Sequence, residues 1–285
     1  MLLGCGFMGL TEKLTELRWR VAGHYTRPLP QAFLEPLRGA RGLEIGGPSA
    51  VFSATGLLPV YPMLDTLDGV QWATRTVWHD LDREQGYRPE GARMGELHVL
   101  DGADLGSMSD STYDVVISSH VFEHIANPLR ALASWRKVTR LGGYLLMIVP
   151  HIVGTFDHRR PLTTLGHVIE DFERGVEEDD LTHLDETLRL HDRGRDSEPG
   201  DGETWAARRR GNLTTRVLHH HTFTTASLLE LLDHAGLELL AAETRFPHDI
   251  YCLAKWPKDG QRPNNAAFLA ARRRSPFRVD RFKPS

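Results

Sequence analysis

Residues 113–150 read YDVVISSHVFEHIANPLRALASWRKVTRLGGYLLMIVP, and this stretch decides the fold class. It begins and ends with short runs of Val, Ile and Leu, which are typical of strands buried on both faces of a sheet. Between these runs Leu129, Leu132, Trp135 and Val138 recur at the spacing of one helix face. The stretch therefore predicts a strand, a crossover helix and a second strand parallel to the first.

Other segments extend this alternation of strands and helices. RGLEIGG (41–47) predicts a strand that enters a glycine turn, and GELHVLD (95–101) predicts another buried strand. TTASLLELLDHAG (224–236) predicts a capped amphipathic helix, followed at hairpin spacing by strands over 237–245 and 249–256. We therefore predict an α/β fold with a Rossmann-like, seven-stranded, mostly parallel sheet, helices on both faces and a polar insertion between strands 5 and 6.

The pattern divides the chain into four units. Residues 1–39 are predicted to be a helical segment, interrupted by prolines, and residues 40–151 together with 222–257 are predicted to form the sheet domain. The polar insertion, 152–221, is predicted to lie as a lid over the edge where open α/β sheets bind ligands. Residues 258–285 form a basic tail, either solvated or acting as a docking arm.

The composition excludes several classes of protein. The 285 residues are 40% hydrophobic and 25% charged, with a net charge of -4. Such a chain lacks the extended basic surface that nucleic acid or an anionic membrane requires. It has only two cysteines, too few for a disulfide framework, and no run of 18 apolar residues. Since the N-terminus also lacks the basic start of a signal peptide, we expect a cytoplasmic protein without nucleic-acid or membrane partners.

The order of motifs resembles the class I S-adenosylmethionine (SAM)-dependent methyltransferases of the small-molecule type, methyltransferase type 11-like. LEIGGPS (43–49) is similar to their first motif, an acid followed by a glycine loop. VLDGADL (99–105) is similar to the third-strand motif, and 113–150 to the fourth strand, crossover helix and fifth strand. The resemblance covers roughly residues 40–151 and 222–256. It implies SAM as the cofactor and methyl transfer as the activity.

The resemblance also implies which residues contact the cofactor. Gly46 and Gly47 would let the backbone approach it, since glycine tolerates unusual φ angles. Glu44 would accept a bond from its amine or would instead hold the loop amides, and Asp101 would bind the adenine amine. The expected cofactor residues are Glu44, Gly46, Gly47, Pro48, Asp65, Asp101, Gly102, Ala103, Ser119 and His120.

Two positions depart from the family pattern. Pro48 stands where the first motif usually carries glycine, and no acid clearly ends a second strand to hold the ribose hydroxyls. Asp65 is the first candidate for that acid and Asp68 the second. If the second strand is instead VQWAT (70–74), Thr74 or Arg75 would occupy the position, and no acid would be there to make the ribose contact.

The acceptor is expected to bind where the chain concentrates histidine. His120 ends the fourth strand, where it would act as a base or serve as a framework residue. Glu123 and His124 are interpreted as structural residues at the start of the crossover helix. The segments 150–167 and 219–224 must return to the same sheet edge and are polar. The expected catalytic residues are His120, His221 and His151, and the expected substrate-binding residues are Asp157, His158, Arg159, Arg160 and His219.

Several alternatives remain open at this stage. Imidazoles together with Asp157 would be able to hold a divalent ion, but the spacings match no standard zinc pattern, so we expect no metal. A nicotinamide-dependent oxidoreductase would require a third glycine after Gly46 and Gly47. A SAM enzyme of the same fold would catalyse cyclisation or aminocarboxypropyl transfer instead, and a decayed pocket would give a binding module.

The sequence thus predicts a transferase, a SAM-dependent methyltransferase (EC 2.1.1 class). Its partner is expected to be a small polar acceptor such as a sugar or another specialised metabolite, with methylation on oxygen favoured over nitrogen. A homodimer is compatible with the sequence.

Overall fold

The computed structural model describes residues 29–196, 200–258, 261–270 and 275–281. A single seven-stranded sheet forms the centre of this part of the chain. The strands are β1 (Arg41–Ile45), β2 (Thr66–Gln71), β3 (Leu97–Val99), β4 (Tyr113–Ser119), β5 (Thr139–Pro150), β6 (Glu238–Arg245) and β7 (Asp249–Lys255).

The strand order is β3-β2-β1-β4-β5-β7-β6, with β7 antiparallel to both of its neighbours and the other pairings parallel. The predicted fold class is confirmed. The order reverses between β1 and β4, and such a switch point leaves a crevice outside the carboxyl ends of the strands. Because β7 runs the opposite way, its first residue, Asp249, reaches the same edge, opposite Pro150 at the end of β5.

Seven α-helices accompany the sheet within the described residues. They are α1 (Pro128–Val138), α2 (Leu165–Arg174), α3 (Leu184–Leu190), α4 (Gly202–Arg210), α5 (Asn212–Thr215), α6 (Thr225–His234) and α7 (Ala266–Ala270). The Asn127 side chain accepts a hydrogen bond from the Arg130 amide and so caps α1, while Thr224 and Ser227 form a capping box on α6. None of these helices combines the length and apolarity that a membrane crossing requires.

The two faces of the sheet are covered differently. On one face α1 and α6 bury residues such as Trp135 and Leu228. On the other face short 3-10 turns bury Phe33, Phe52 and Tyr61. The helix predicted to follow Pro30 is therefore replaced by two 3-10 turns. Residues 1–28 of the predicted N-terminal segment lie outside the described residues.

The insertion forms α2 to α5 and packs over the carboxyl edge. The Asn127 side chain links α2, the first helix of the insertion, to the sheet domain. Its Nδ2 donates to the carbonyls of Asp171 and Val176. The described parts of the segment predicted to be a tail also pack on the fold. Asp280 accepts a hydrogen bond from Thr225 at the start of α6.

The bend after β1 is bare because the protein's own side chains fill the space beside it. Gly46 has a φ of 78°, and a Cβ there would overlap Val121. A Cβ on Gly47 would overlap the Glu44 carboxylate and the Tyr87 hydroxyl. The two glycines are therefore required by packing, whatever ligand approaches the bend.

Replacing Gly47 with alanine tests this packing constraint. We expect Gly47→Ala to lower the free energy of unfolding by about 1–3 kcal/mol, because the added methyl group must displace buried polar atoms. The matched control is Gly166→Ala, where the nearest neighbour of the new Cβ is Thr164 Oγ1 at 3.9 Å. That variant should be neutral or more stable by up to about 1 kcal/mol. Chemical denaturation measures both, and equal stability of Gly47→Ala and wild type would contradict the constraint.

Candidate active site

The candidate active site lies at the carboxyl edge of the sheet, around the ends of β1, β3 and β4 and the start of β7. The Gly46–Gly47 bend leaves β1 there, and the Gly47–Pro48 peptide bond is cis. The Gln71 side chain, at the end of β2, donates a hydrogen bond to the Gly47 carbonyl. The bend is therefore fixed from the neighbouring strand.

Glu44 holds this bend in place. Its side chain is fully buried, and its oxygens accept hydrogen bonds from Tyr61 Oη at 2.8 Å, Tyr87 Oη at 2.7 Å and the Ser49 amide at 3.1 Å. Burial raises the pKa of Glu44 to about 7, although these hydrogen bonds act to lower it. Of the two roles considered for Glu44, its partners support the one in which it holds the loop rather than contacts a cofactor.

Asp101 follows β3 and remains half-buried. One carboxylate oxygen accepts from the Ala103 amide at 2.8 Å, and the other pairs with Arg216 at 2.9 Å. Arg216 also pairs with Glu178 at 2.6 Å, and its guanidinium lies 5.6 Å from the centre of the Trp72 ring. The neighbouring Gly102 carbonyl accepts from Trp135, so the turn that carries Asp101 is anchored to α1.

The prediction that Asp65 ends the second strand and holds the ribose is wrong, because Asp65 lies at the opposite end of that strand. Asp65 precedes β2, at the amino edge of the sheet, where it pairs with Arg93 at 2.7 Å. Asp68 lies inside the same strand and accepts from Tyr113 Oη. The carboxyl end of β2 carries Gln71 and then Trp72, so no carboxylate of β2 reaches the cofactor edge.

His120 directly follows β4 and has a left-handed conformation, with a φ of 53°. Its Nε2 lies 3.2 Å from Asp249 Oδ1, and its Nδ1 lies 3.7 Å from Glu123 Oε1. Burial lowers the pKa of His120, but the hydrogen bond with Asp249 and the charge of Glu123 outweigh it and raise the pKa overall. A strained histidine paired with a carboxylate is an arrangement that is common at catalytic sites.

Glu123 is surrounded by imidazoles rather than standing at a solvated helix start. It is 1% exposed, and its Oε2 is buried without a hydrogen-bond partner among the described residues. One ligand atom of each of Glu123, His124 and His219 lies within 4.8 Å of the other two. Burial raises the pKa of Glu123, opposed by the charges of His120 and His219. The structural interpretation of Glu123 and His124 therefore misses their position in the site.

The predicted acceptor residues separate into two groups. Asp157 pairs with His219 at 2.6 Å and with Arg160 at 3.2 Å, and it is buried. Arg160 also donates to Glu186 and to the His219 carbonyl. This network braces His219, so Arg160 is not available to an acceptor. His158 and Arg159 both pair with Asp192, at 2.9 Å, in a separate group.

Two predicted catalytic histidines lie elsewhere. His151 is fully buried, lies 3.2 Å from Asp280 and stacks on the Phe277 ring with centroids 3.9 Å apart. His221 is also buried and contacts the Ala126 carbonyl and the rings of other insertion histidines. The structure therefore does not bring either residue to His120, and both predictions are corrected.

His248 and Asp249 are the functional candidates that the sequence analysis missed. The His248 ring packs edge-on against His120, with centroids 5.7 Å apart, and Asp249 pairs with His120. A signal was present, because an antiparallel last strand must begin at the edge where the parallel strands end. Polar residues at the start of β7 were therefore candidates for this edge.

The residues at this edge fit the cofactor that the resemblance implies. Ser118 lies in β4 opposite Ile45 of β1, and its Oγ is buried without a partner among the described residues. The same is true of Trp72 Nε1, in the side chain whose ring lies against the Arg216 guanidinium. A buried polar atom without a partner requires an explanation, and a ligand or water that completes its hydrogen bonding is one. The fit differs from the family pattern at Pro48, in the bend after β1, and at the end of β2, where Gln71 and Trp72 replace an acid.

A protein-family model described as "Methyltransferase domain" matches residues 18–242, which is well over half of the chain. Among curated proteins, a highly reducing polyketide synthase, pkhB, of Emericella nidulans is 29% identical over 155 residues. That match covers 47% of this chain but only 6% of the synthase.

Two solved structures are among those to which this chain is similar. A SAM-dependent methyltransferase from Aquifex aeolicus is 11% identical, with 87% of this chain and 100% of that chain covered and a TM-score of 0.41. One from Mesorhizobium loti is 14% identical, with 79% and 94% covered and a TM-score of 0.46.

The buried carboxyl of Glu44 makes a testable contribution to stability. Its pKa rises from 4.5 to about 7 on folding, so the folded state holds the proton more tightly between these pH values. The contribution is fully present below pH 4.5 and is lost as the pH rises through about 7. Relative to Glu44→Gln, wild type should lose up to about 3 kcal/mol between pH 4.5 and 8.

Denaturation at several pH values measures this difference, and Glu177→Gln is the control. Glu177 is an exposed acid on the insertion, and its removal should leave the pH dependence unchanged. A constant difference between Glu44→Gln and wild type across the range would show that Glu44 does not titrate as described.

Proposed function

The chain belongs to the methyltransferase-domain family, and we propose that it transfers the methyl group of SAM to an oxygen of a small polar acceptor. SAM is the cofactor that family membership implies. The observation that carries the proposal for oxygen is the pairing of His120 with Asp249 at the end of β4, in the crevice where the sheet order reverses.

Asp101 and the glycine bend would hold the cofactor. The Asp101 carboxylate would accept a hydrogen bond from the adenine amine, and the backbone beside Gly46 would face the amino-acid end. Arg216 must share Asp101 with the cofactor or move aside, since it already pairs with one carboxylate oxygen. When bound, the cofactor supplies an electrophilic methyl group on a sulfonium.

His120 would act as the base. Its Nε2–H donates to Asp249, which leaves Nδ1 with the lone pair. Nδ1 would take the proton of an acceptor hydroxyl as the oxygen–carbon bond forms and the sulfur–methyl bond breaks. Asp249 would stabilise the imidazolium that results, and Tyr251, which donates to Asp249 at 3.0 Å, would orient that carboxylate.

The acceptor would lie between His120 and the insertion. Two imidazoles and one carboxylate, of His124, His219 and Glu123, cluster on this side of His120, and such polar groups would favour an acceptor with several hydroxyl groups. The insertion would exclude water and place the hydroxyl in line with the methyl group, which accounts for much of the rate of a direct displacement.

Incubation with SAM and a panel of sugars and other hydroxylated metabolites tests the reaction itself. We expect S-adenosylhomocysteine and an acceptor that gains one methyl group, detected by mass spectrometry. Release of methylthioadenosine would instead identify a reaction other than methyl transfer at the same site.

Asp101→Asn should weaken SAM binding by about 10- to 100-fold. The reason is that a hydrogen bond to a charged acceptor contributes about 1.5–3 kcal/mol. The control is Asp104→Asn, because Asp104 is a neighbouring acid that pairs with Arg130 at the surface. Calorimetric titration with SAM measures both variants, and unchanged binding by Asp101→Asn would exclude the adenine contact.

His120→Ala should lower kcat by about 10²–10⁴-fold with SAM binding retained, because it removes a general base. Asp249→Asn should lower kcat and shift the acidic limb of the kcat/KM profile to lower pH, since Asp249 raises the pKa of His120. His234→Ala, at the end of α6, serves as the control. A normal kcat in His120→Ala would remove His120 from the chemistry.

A further inference from the structure

Three histidines and one aspartate of the insertion converge outside the site of the proposed function. One ring nitrogen of each of His167, His183 and His221 lies within 4.8 Å of those of the other two. His167 Nε2 lies 3.0 Å from His183 Nε2 and 3.3 Å from Asp171 Oδ2. His221 Nε2 lies 3.9 Å from the same carboxylate oxygen. Residues distant in sequence thus bring three imidazoles together, with the Asp171 carboxylate beside His167.

In two of these rings, those of His183 and His221, one nitrogen already has a polar partner. His183 Nδ1 lies 3.4 Å from Glu186 Oε1, so the ring proton is assigned to Nδ1 and Nε2 keeps a lone pair. His221 Nε2 donates to the Ala126 carbonyl at 3.1 Å, which leaves the lone pair on Nδ1. That Nδ1 is buried without a hydrogen-bond partner among the described residues. Metal-binding histidines characteristically donate their other ring N–H to a carboxylate or carbonyl in this way.

We propose that His167, His183, His221 and Asp171 bind a divalent transition metal ion, with Zn²⁺ the best match. Three imidazoles and a carboxylate are a ligand set that zinc accepts. A tetrahedral ion with bonds of about 2.0–2.1 Å keeps its ligand atoms about 3.3 Å apart. The distances of 3.0 and 3.3 Å from His167 Nε2 to His183 and Asp171 are close to this value.

The sequence hides this site because its spacing fits no standard zinc pattern. His167 and Asp171 are four residues apart on α2, so they share one helix face. His183 immediately precedes α3, and His221 lies in the extended segment before α6. The ion would therefore join three parts of the insertion to each other.

Two other groups of three potential ligands occur among the described residues. They are His120, His248 and Asp249, and Glu123, His124 and His219. Both belong to the candidate active site, and in the first the carboxylate already pairs with His120. The His167 group differs because it consists of three imidazoles, and one of their ring nitrogens, His221 Nδ1, is buried without a hydrogen-bond partner among the described residues.

The ion would hold the insertion against the sheet domain. The His221 amide donates to the Glu123 carbonyl, and the His221 ring donates to the Ala126 carbonyl. Both acceptors lie between β4 and α1, next to the proposed base. A metal bound here would be structural, with all four positions taken by protein, and would fix the lid over the acceptor.

The test measures metal content and does not depend on methyl transfer. The full chain is purified without chelator, and zinc is quantified by plasma mass spectrometry. We expect about one Zn²⁺ per chain in wild type and at least tenfold weaker zinc binding in His167→Ala and His183→Ala. The matched control, His98→Ala, removes a histidine of β3 that pairs with Glu96 and should retain the metal.

Titration of the chelator-treated wild type with Zn²⁺, followed by calorimetry and thermal unfolding, tests the site even if the variants fail to fold. Stoichiometric binding that raises the Tm supports the site. Zinc absent from the purified protein, together with no heat of binding, overturns the proposal. Full zinc content in both His167→Ala and His183→Ala also overturns it, because the ion would then be bound elsewhere, for example by the Glu123 group.

Discussion

The buried carboxylate of Glu44 is the group on which the arrangement of this edge of the sheet depends. A carboxyl group removed from water is costly unless hydrogen bonds replace its hydration. Here Tyr61, Tyr87 and the Ser49 amide supply those bonds from three separate segments. Glu44 thereby holds together the connection between β1 and β2, which contains no α-helix. It also fixes the path of the glycine bend.

Distant partners also explain why β2 is difficult to predict from the sequence. The strand contains Asp68 and Gly69, which normally disfavour a strand interior. Both are explained by partners far away in the chain. Asp68 accepts from Tyr113 and pairs with Arg41, while Gly69 leaves room for the Tyr87 ring. By contrast, the strand–helix–strand unit over 113–150 is determined by local apolar periodicity, and its elements were predicted correctly.

The residues of the candidate site also divide into those whose position follows from local sequence and those whose position depends on distant partners. His120 was predicted because its position at the end of a strand is a local property. Its partner Asp249 is the first residue of β7, and its place beside His120 becomes apparent only once the direction of that strand is known. Arg159 and Arg160 are adjacent and identical in type, yet only Arg160 is buried, between Asp157 and Glu186. The identity of the neighbours, not the residue type, decides which arginine is structural.

The backbone of Ala126 connects the two ends of the site. Its amide donates to Glu178, and its carbonyl accepts from His221. Glu178 pairs with Arg216, which in turn pairs with Asp101 at the proposed adenine position. Because burial raises the pKa of Glu178 to about 7, opposed by the charge of Arg216, loss of this arginine would leave a carboxylate that is costly to keep ionised. Loss of the pair between Arg216 and Glu178 would therefore act on the carboxylate that accepts from the Ala126 amide, and the carbonyl of the same residue accepts from His221.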